Sequence, residues 1–125
     1  MGILAACERE SAEHARLVAA LDRLAEVPAE AHVERRAAAL ALGREPARTE
    51  RGKAARDACA KAYGELNDSN ELVASIHAEL RRPVKPTDAQ RLASETRRAE
   101  DLLERARASM DLCDAAALRL DPSRR

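Results

Sequence analysis

The sequence predicts an all-α protein: an elongated helical bundle built on a long, coiled-coil-like antiparallel αα-hairpin, with a kinked or broken N-terminal helix. Three observations predict it. Phe and Trp are absent and Tyr63 is the single aromatic, yet 46% of the 125 residues are apolar, so the apolar content is largely Ala and Leu. Those residues, with Arg and Glu, lose little side-chain entropy in a helix, and Ala layers suit thin, closely approached helices better than a deep core. The apolar positions of two long stretches recur at alternating steps of four and three, the period of a coiled-coil seam. Between those stretches lies Pro83-Val84-Lys85-Pro86, whose two prolines stop one helix and force an extended link.

The length suits a single domain. The first helix is expected over 3–26, with Cys7, His14, Leu17, Val18, Leu21, Leu24 and Ala25 along one side. Pro28 breaks it, because a proline inside a helix lacks a donor and clashes with the preceding turn. Proline is tolerated in a first turn and an acidic residue suits a helix N-terminus, so Pro28 and Glu30 open a second helix over 28–42. Gly43 closes it and Pro46 prevents continuation, giving a link over 43–46. The third helix is expected over 46–82 on the stripe Ala55, Cys59, Ala62, Leu66, Ser69, Val73, Ile76 and Leu80, extended backward by Gly52. Gly64, Asn67, Asp68 and Asn70 mark a soft middle, where a break competes with a continuous helix. After the link over 83–87, Thr87 followed by Gln90 reads as a capping box. The last helix is expected over 88–120, ended by Asp121-Pro122, on the stripe Leu92, Thr96, Ala99, Leu103, Ala106, Met110, Cys113, Ala117 and Leu120.

A short link makes the two long helices antiparallel neighbours. Placing Leu80 beside Leu92 fixes every later layer: Ile76 with Thr96, Val73 with Ala99, Ser69 with Leu103, Leu66 with Ala106, Ala62 with Met110, Cys59 with Cys113, Ala55 with Ala117 and Gly52 with Leu120. Most layers set a large side chain against a small one, which fills the gap while the helices stay close. Leu102, Leu112, Ala116 and Leu118 lie beside the last seam and widen its apolar side. Such surplus apolar surface implies a homodimer or a helical protein partner. The candidate interaction residues are Leu17, Leu24, Leu102, Leu112 and Leu118.

Lys plus Arg and Asp plus Glu number 22 each, so the formal net charge is zero, and no global field draws the chain to nucleic acid or an anionic membrane. No apolar run approaches a membrane span, and the first residues lack the basic flank of a secretory signal. Two basic clusters stand out: Arg44, Arg48, Arg51, Lys53 and Arg56, and at the hairpin tip Arg81, Arg82 and Lys85. Without aromatics for base stacking, they suit an acidic partner or solvent. His14, His32 and His77 have no ligand-spaced neighbours; His14 and His77 fall on or beside apolar stripes, as partly buried core residues do. No nucleophile–base pair, metal spacing or phosphate loop appears, so the reading is a non-catalytic protein with no metal, cofactor or small-molecule substrate.

The three cysteines, Cys7, Cys59 and Cys113, are widely spaced and odd in number, which fits neither a disulfide framework nor a zinc site. The expectation is reduced thiols in an intracellular protein. Cys59 and Cys113 are expected to face each other without bonding, because seam Cα separations often exceed about 7 Å. Met1-Gly2 half matches an N-myristoylation signal, with Ala6 where Ser or Thr is required.

Leu21 and Leu24 followed by Val27-Pro28-Ala29-Glu30 resemble the short leading helix and Leu-Pro-x-Glu of the inhibitor-of-growth chromatin proteins. A long helix, a loop and a second long helix follow in the same order. Leu118-Arg119-Leu120-Asp121 is similar to the close of that family's N-terminal domain, so the resemblance spans about 14–121. This chain departs in having one aromatic residue, no Cys/His finger and a break over 43–46. The resemblance implies self-association, docking into a histone-modifying complex and a nuclear location. The alternatives are a cytoplasmic coiled-coil adaptor of a cytoskeletal, kinetochore or trafficking assembly, and a lipid-anchored adaptor at a membrane.

Overall fold

A computed structural model describes residues 2–124, with side chains from 5 onward. It is all-α: 83% of the chain is helical, and the long helices pack on one another. In order they are α1 (Gly2–Glu26), α2 (His32–Gly43), α3 (Glu50–Leu80), a 3₁₀ turn (Pro86–Asp88) and α4 (Ala89–Leu120). Helices α3 and α4, of 31 and 32 residues, are each about 47 Å long at 1.5 Å per residue. They form the antiparallel hairpin. Helices α1 and α2 cover only the half of it farthest from the 83–87 link.

The main core lies in that half. Leu17, Leu21 and Leu24 of α1 and Leu42 of α2 pack on Ala55, Cys59 and Ala62 of α3 and on Cys113, Ala116, Ala117 and Leu120 of α4. The small seam residues give the short approach, and the leucines supply the buried area. Toward the tip the hairpin stands alone, with Ser69, Ile76, Leu92 and Ala99 buried between its two helices.

Cys59 and Cys113 meet as the layer register requires, but they are joined in a disulfide with Cα atoms 4.5 Å apart. The expectation of reduced, unbonded thiols is therefore corrected. Alanines stand next to the pair on both helices, Ala55 and Ala62 on α3 and Ala116 and Ala117 on α4, and their small side chains let the backbones come inside disulfide reach. Cys7 is a free, exposed thiol.

The helix ends differ from expectation where side chains intervene. Helix α2 starts at His32, not at Pro28. Pro28 sits in a turn whose carbonyl accepts from Ala31 N–H at 3.0 Å, because the chain must reverse here to lay α2 along α3. Arg35 Nε donates to the Val27 carbonyl at 3.2 Å and so fixes the reversal. Helix α3 starts at Glu50, not at 46, because Thr49 is its N-cap and accepts from Gly52 N–H at 2.9 Å. The α2–α3 link is correspondingly longer than the expected 43–46. Thr87 is no cap: it lies in the 3₁₀ turn that leads into α4, and Asp88 precedes the helix without a side-chain cap. Helix α3 ends at Leu80, two residues short of 82.

Helix α3 runs unbroken through 64–70, and Asn67 stabilises this segment. It is buried, donates through Nδ2 to the His32 carbonyl at 3.0 Å, and its Oδ1 lies 3.4 Å from His32 Nδ1. A buried amide matched in this way ties the start of α2 to the middle of α3. The Arg35 guanidinium lies 5.6 Å from the Tyr63 ring centroid, a cation–π contact on the same helix pair.

Candidate interaction surfaces

Among the described residues, the large exposed apolar side chains fall on the outer side of α2 (Val33, Leu40), the C-terminal half of α4 (Leu112, Leu118) and the hairpin tip (Leu80, Val84). Around them the structure is held by polar junctions that the sequence did not announce.

The tightest junction joins α1 to the N-terminus of α3. Glu13 is buried and accepts from Thr49 N–H at 3.1 Å, from the Thr49 hydroxyl at 2.6 Å and from the Arg48 N–H. His14 Nε2 lies 3.1 Å from Thr49 Oγ1. Burial pushes the Glu13 carboxyl up, but the hydrogen bonds from Thr49 and Arg48 and the charge of His14 outweigh it and hold the carboxyl below its ordinary value. A carboxylate at a helix N-terminus also meets the positive end of the helix dipole. Glycine is required opposite it, since a Cβ on Gly52 would stand 2.6 Å from Glu13 Oε2 and 2.8 Å from Thr49 Oγ1. Beside this junction a groove of about 570 Å³ runs between α1 and the α2–α3 link, lined by Arg9, Arg16, Pro46 and Arg48 among others.

The expected interaction residues do not form one surface. Leu17 and Leu24 are buried in this chain's own core, so they are already occupied. Leu102 is half-buried, while Leu112 is 67% and Leu118 44% exposed. At 100° per residue, Leu112 and Leu118 point about 120° apart around α4, so they present two separate spots.

In the first basic cluster Arg44, Arg48, Arg51 and Lys53 are exposed, and Lys53 pairs weakly with Glu50 at 3.9 Å. Arg56 departs from the cluster. It is half-buried, pairs with Asp57 and donates to the Glu45 carbonyl at 3.1 Å, which pins the α2–α3 link. At the tip, Arg81, Arg82 and Lys85 are exposed beside Leu80 and Val84. Arg91 next to them is engaged with Glu79, Glu95 and Asp88, and its hydrogen bond lowers the Glu79 pKa.

Of the histidines, His14 and His32 are half-buried in helix junctions, while His77 is exposed and not the partly buried core residue expected. No group of three or more His, Cys, Asp or Glu side chains could hold a metal ion among the described residues. No described helix is long and apolar enough to cross a membrane. Met1 of the half-matched myristoylation signal lies outside the described residues.

The surface that sequence reading missed is the outer side of α2. Val33 is the most exposed large apolar residue of the described chain at 74%, and Leu40 is 54% exposed. Ala37 and Ala41 are exposed between and beside them. The signal was present in His32-Val-Glu-Arg-Arg-Ala-Ala-Ala-Leu-Ala-Leu-Gly43, but the second half of this stretch is apolar all round, so no single apolar side stands out. Compared with known proteins, the chain matches no family model, no curated protein and no solved structure.

Proposed function

We propose that this chain is a non-catalytic helical interaction module that joins another helix, either of a second copy or of a different protein. The observation that carries the reading is α2. A helix that buries Ala39 and Leu42 inward and also presents Val33 and Leu40 outward has one apolar side more than its own fold uses. Contiguous apolar stripes of this kind mark association surfaces, unlike single scattered leucines.

The finer reading is a subunit of a histone-modifying complex, supported by the resemblance to inhibitor-of-growth N-terminal domains. The disulfide pulls the other way, since such bonds persist in oxidising compartments and are rare in nuclear and cytosolic proteins, and it removes the thiol argument for an intracellular location. Affinity purification of the tagged protein with partner identification tests these readings. Acetyltransferase or deacetylase subunits on the bait support the chromatin reading. Tubulin or motor subunits support the adaptor alternative, and a mass increase at Gly2 or Cys7 supports the lipid-anchored one. Strict monomers that retain no helical protein overturn the interaction reading itself.

A further inference from the structure

Resting on the interaction reading, we infer that the occupant of the outer α2 surface is a second copy of this chain, with the two α2 helices packed antiparallel about a two-fold axis at Ala37. The geometry of the stripe comes first. At 100° per residue, Leu40, Val33, Ala37 and Ala41 span an arc of about 100°, the width with which an amphipathic helix faces a neighbour. The small Ala37 lies at its centre, so two backbones can approach closely there. Reversing a second helix about Ala37 sets Val33 of each copy beside Leu40 of the other, and the two large exposed side chains of α2 cover each other.

Charge decides the direction. Glu30 lies in the turn just before α2, Glu34 in its first turn and Arg44 at its C-cap. All three are exposed, and none enters an ion pair among the described residues. An antiparallel pair brings Arg44 of each copy to the acidic end of the other at both ends of the contact. A parallel pair would set like against like, which costs association. The 12 residues of α2 make about 18 Å of helix, so the interface is at the small end of specific ones and the dimer is weak and concentration-dependent.

The test is sedimentation equilibrium of the full chain from about 1 to 500 µM, the range that brackets a weak dimer, with helicity followed by circular dichroism. Wild type is expected to shift from monomer to dimer across this range. Leu40→Asp and Val33→Asp change exposed positions, so helicity is expected to stay while the dissociation constant rises at least about tenfold. Arg44→Glu is expected to weaken the dimer, and adding Glu30→Arg with Glu34→Arg to restore it. In a Cys7→Ser background, Ala37→Cys is expected to cross-link to itself under mild oxidation. A dimer indifferent to all of these variants overturns the α2 assignment but leaves the interaction reading standing through another surface. A monomer at every concentration also overturns it; the broader reading then survives only if the bait retains a helical partner.

Discussion

The two halves of the hairpin are built from the same seam but are not held in the same way. In the half covered by α1 and α2, four leucines are almost completely buried, Leu17, Leu21, Leu24 and Leu42, and the disulfide crosses between α3 and α4. In the tip half, Ile76 and Leu92 are the large buried residues, and the ion pair that crosses between the helices is the exposed one of Arg91 with Glu79. Exposed ion pairs contribute little in water. An alanine-rich seam is therefore enough to define register, but the buried area that stabilises the chain comes from the two extra helices. The tip half should open more readily than the covered half, since local stability follows buried apolar contact.

The largest expected effect on this contrast is loss of the disulfide. The bond closes a loop across a sequence separation of 54, and cross-linking at that length stabilises by about 4 kcal/mol through the unfolded chain. Reduction, or Cys59→Ala with Cys113→Ala, is expected to lower the midpoint of thermal unfolding markedly, read by circular dichroism beside thiol counting by mass spectrometry. An unchanged midpoint after verified reduction would show that the covered half does not depend on the cross-link.

Truncating matched leucines sharpens the contrast. Leu24→Ala in the covered core should cost about 3 kcal/mol, because the surrounding helices cannot collapse into the cavity. Leu92→Ala near the tip should cost about 2 kcal/mol, the low end for a buried leucine, since Leu92 is buried between α3 and α4 alone, with neither α1 nor α2 packed over it. Urea unfolding of both variants measures the difference, and equal costs would remove the distinction between the halves.

This asymmetry also explains what could be read in the sequence. The period of four and three along α3 and α4 depends on side-chain spacing alone, so the hairpin, its register and the meeting of Cys59 with Cys113 were legible. The helix starts were not. Glu13 lies 36 positions from Thr49, and nothing in a local window says that a carboxylate on α1 will accept from the N–H of the residue that caps α3. Asn67 read as a helix-weakening residue because its partner, the His32 carbonyl, is 35 positions away. The close Cys59–Cys113 approach followed from the alanines around it, a cumulative property of several layers. The outer side of α2 escaped because apolar residues on both sides of a short helix give no periodic signal.

The Glu13 junction holds the covered half to the start of α3, and its charge makes that half sensitive to acid. A folded-state pKa below the ordinary value of 4.5 means that the unfolded chain takes up the proton first as pH falls. The stabilisation is complete above the ordinary value and is lost as pH falls through the depressed folded value. Glu13→Gln should cost about 2 kcal/mol at neutral pH, the worth of charge-assisted hydrogen bonds, and should flatten the stability profile over that acid window. A variant whose denaturant midpoints track wild type at every pH would show that the carboxylate is not what joins the helices.

The smallest effect has the most informative sign. Gly52 and Gly64 stand on the same helix, and neither has a positive φ, so alanine suits the backbone at both. At Gly64 an added Cβ meets nothing within 4 Å. Gly64→Ala should therefore stabilise by about 1 kcal/mol, through the restricted unfolded chain and the better helix former. At Gly52 the same methyl would stand 2.6 Å from Glu13 Oε2, 2.8 Å from Thr49 Oγ1 and 3.1 Å from Leu17 Cδ1. Two of these atoms already hydrogen-bond each other and the α3 N-terminus, so neither can move aside without loosening the junction. Overpacking of this kind costs about 2 kcal/mol, more than the helix gain returns in a first turn, so Gly52→Ala should destabilise. One methyl group on one helix, with opposite shifts of the urea midpoint, separates the place where α1 presses against α3 from the place where α3 faces open space. Shifts of the same sign would mean that Glu13 and Thr49 do not close on Gly52 in solution.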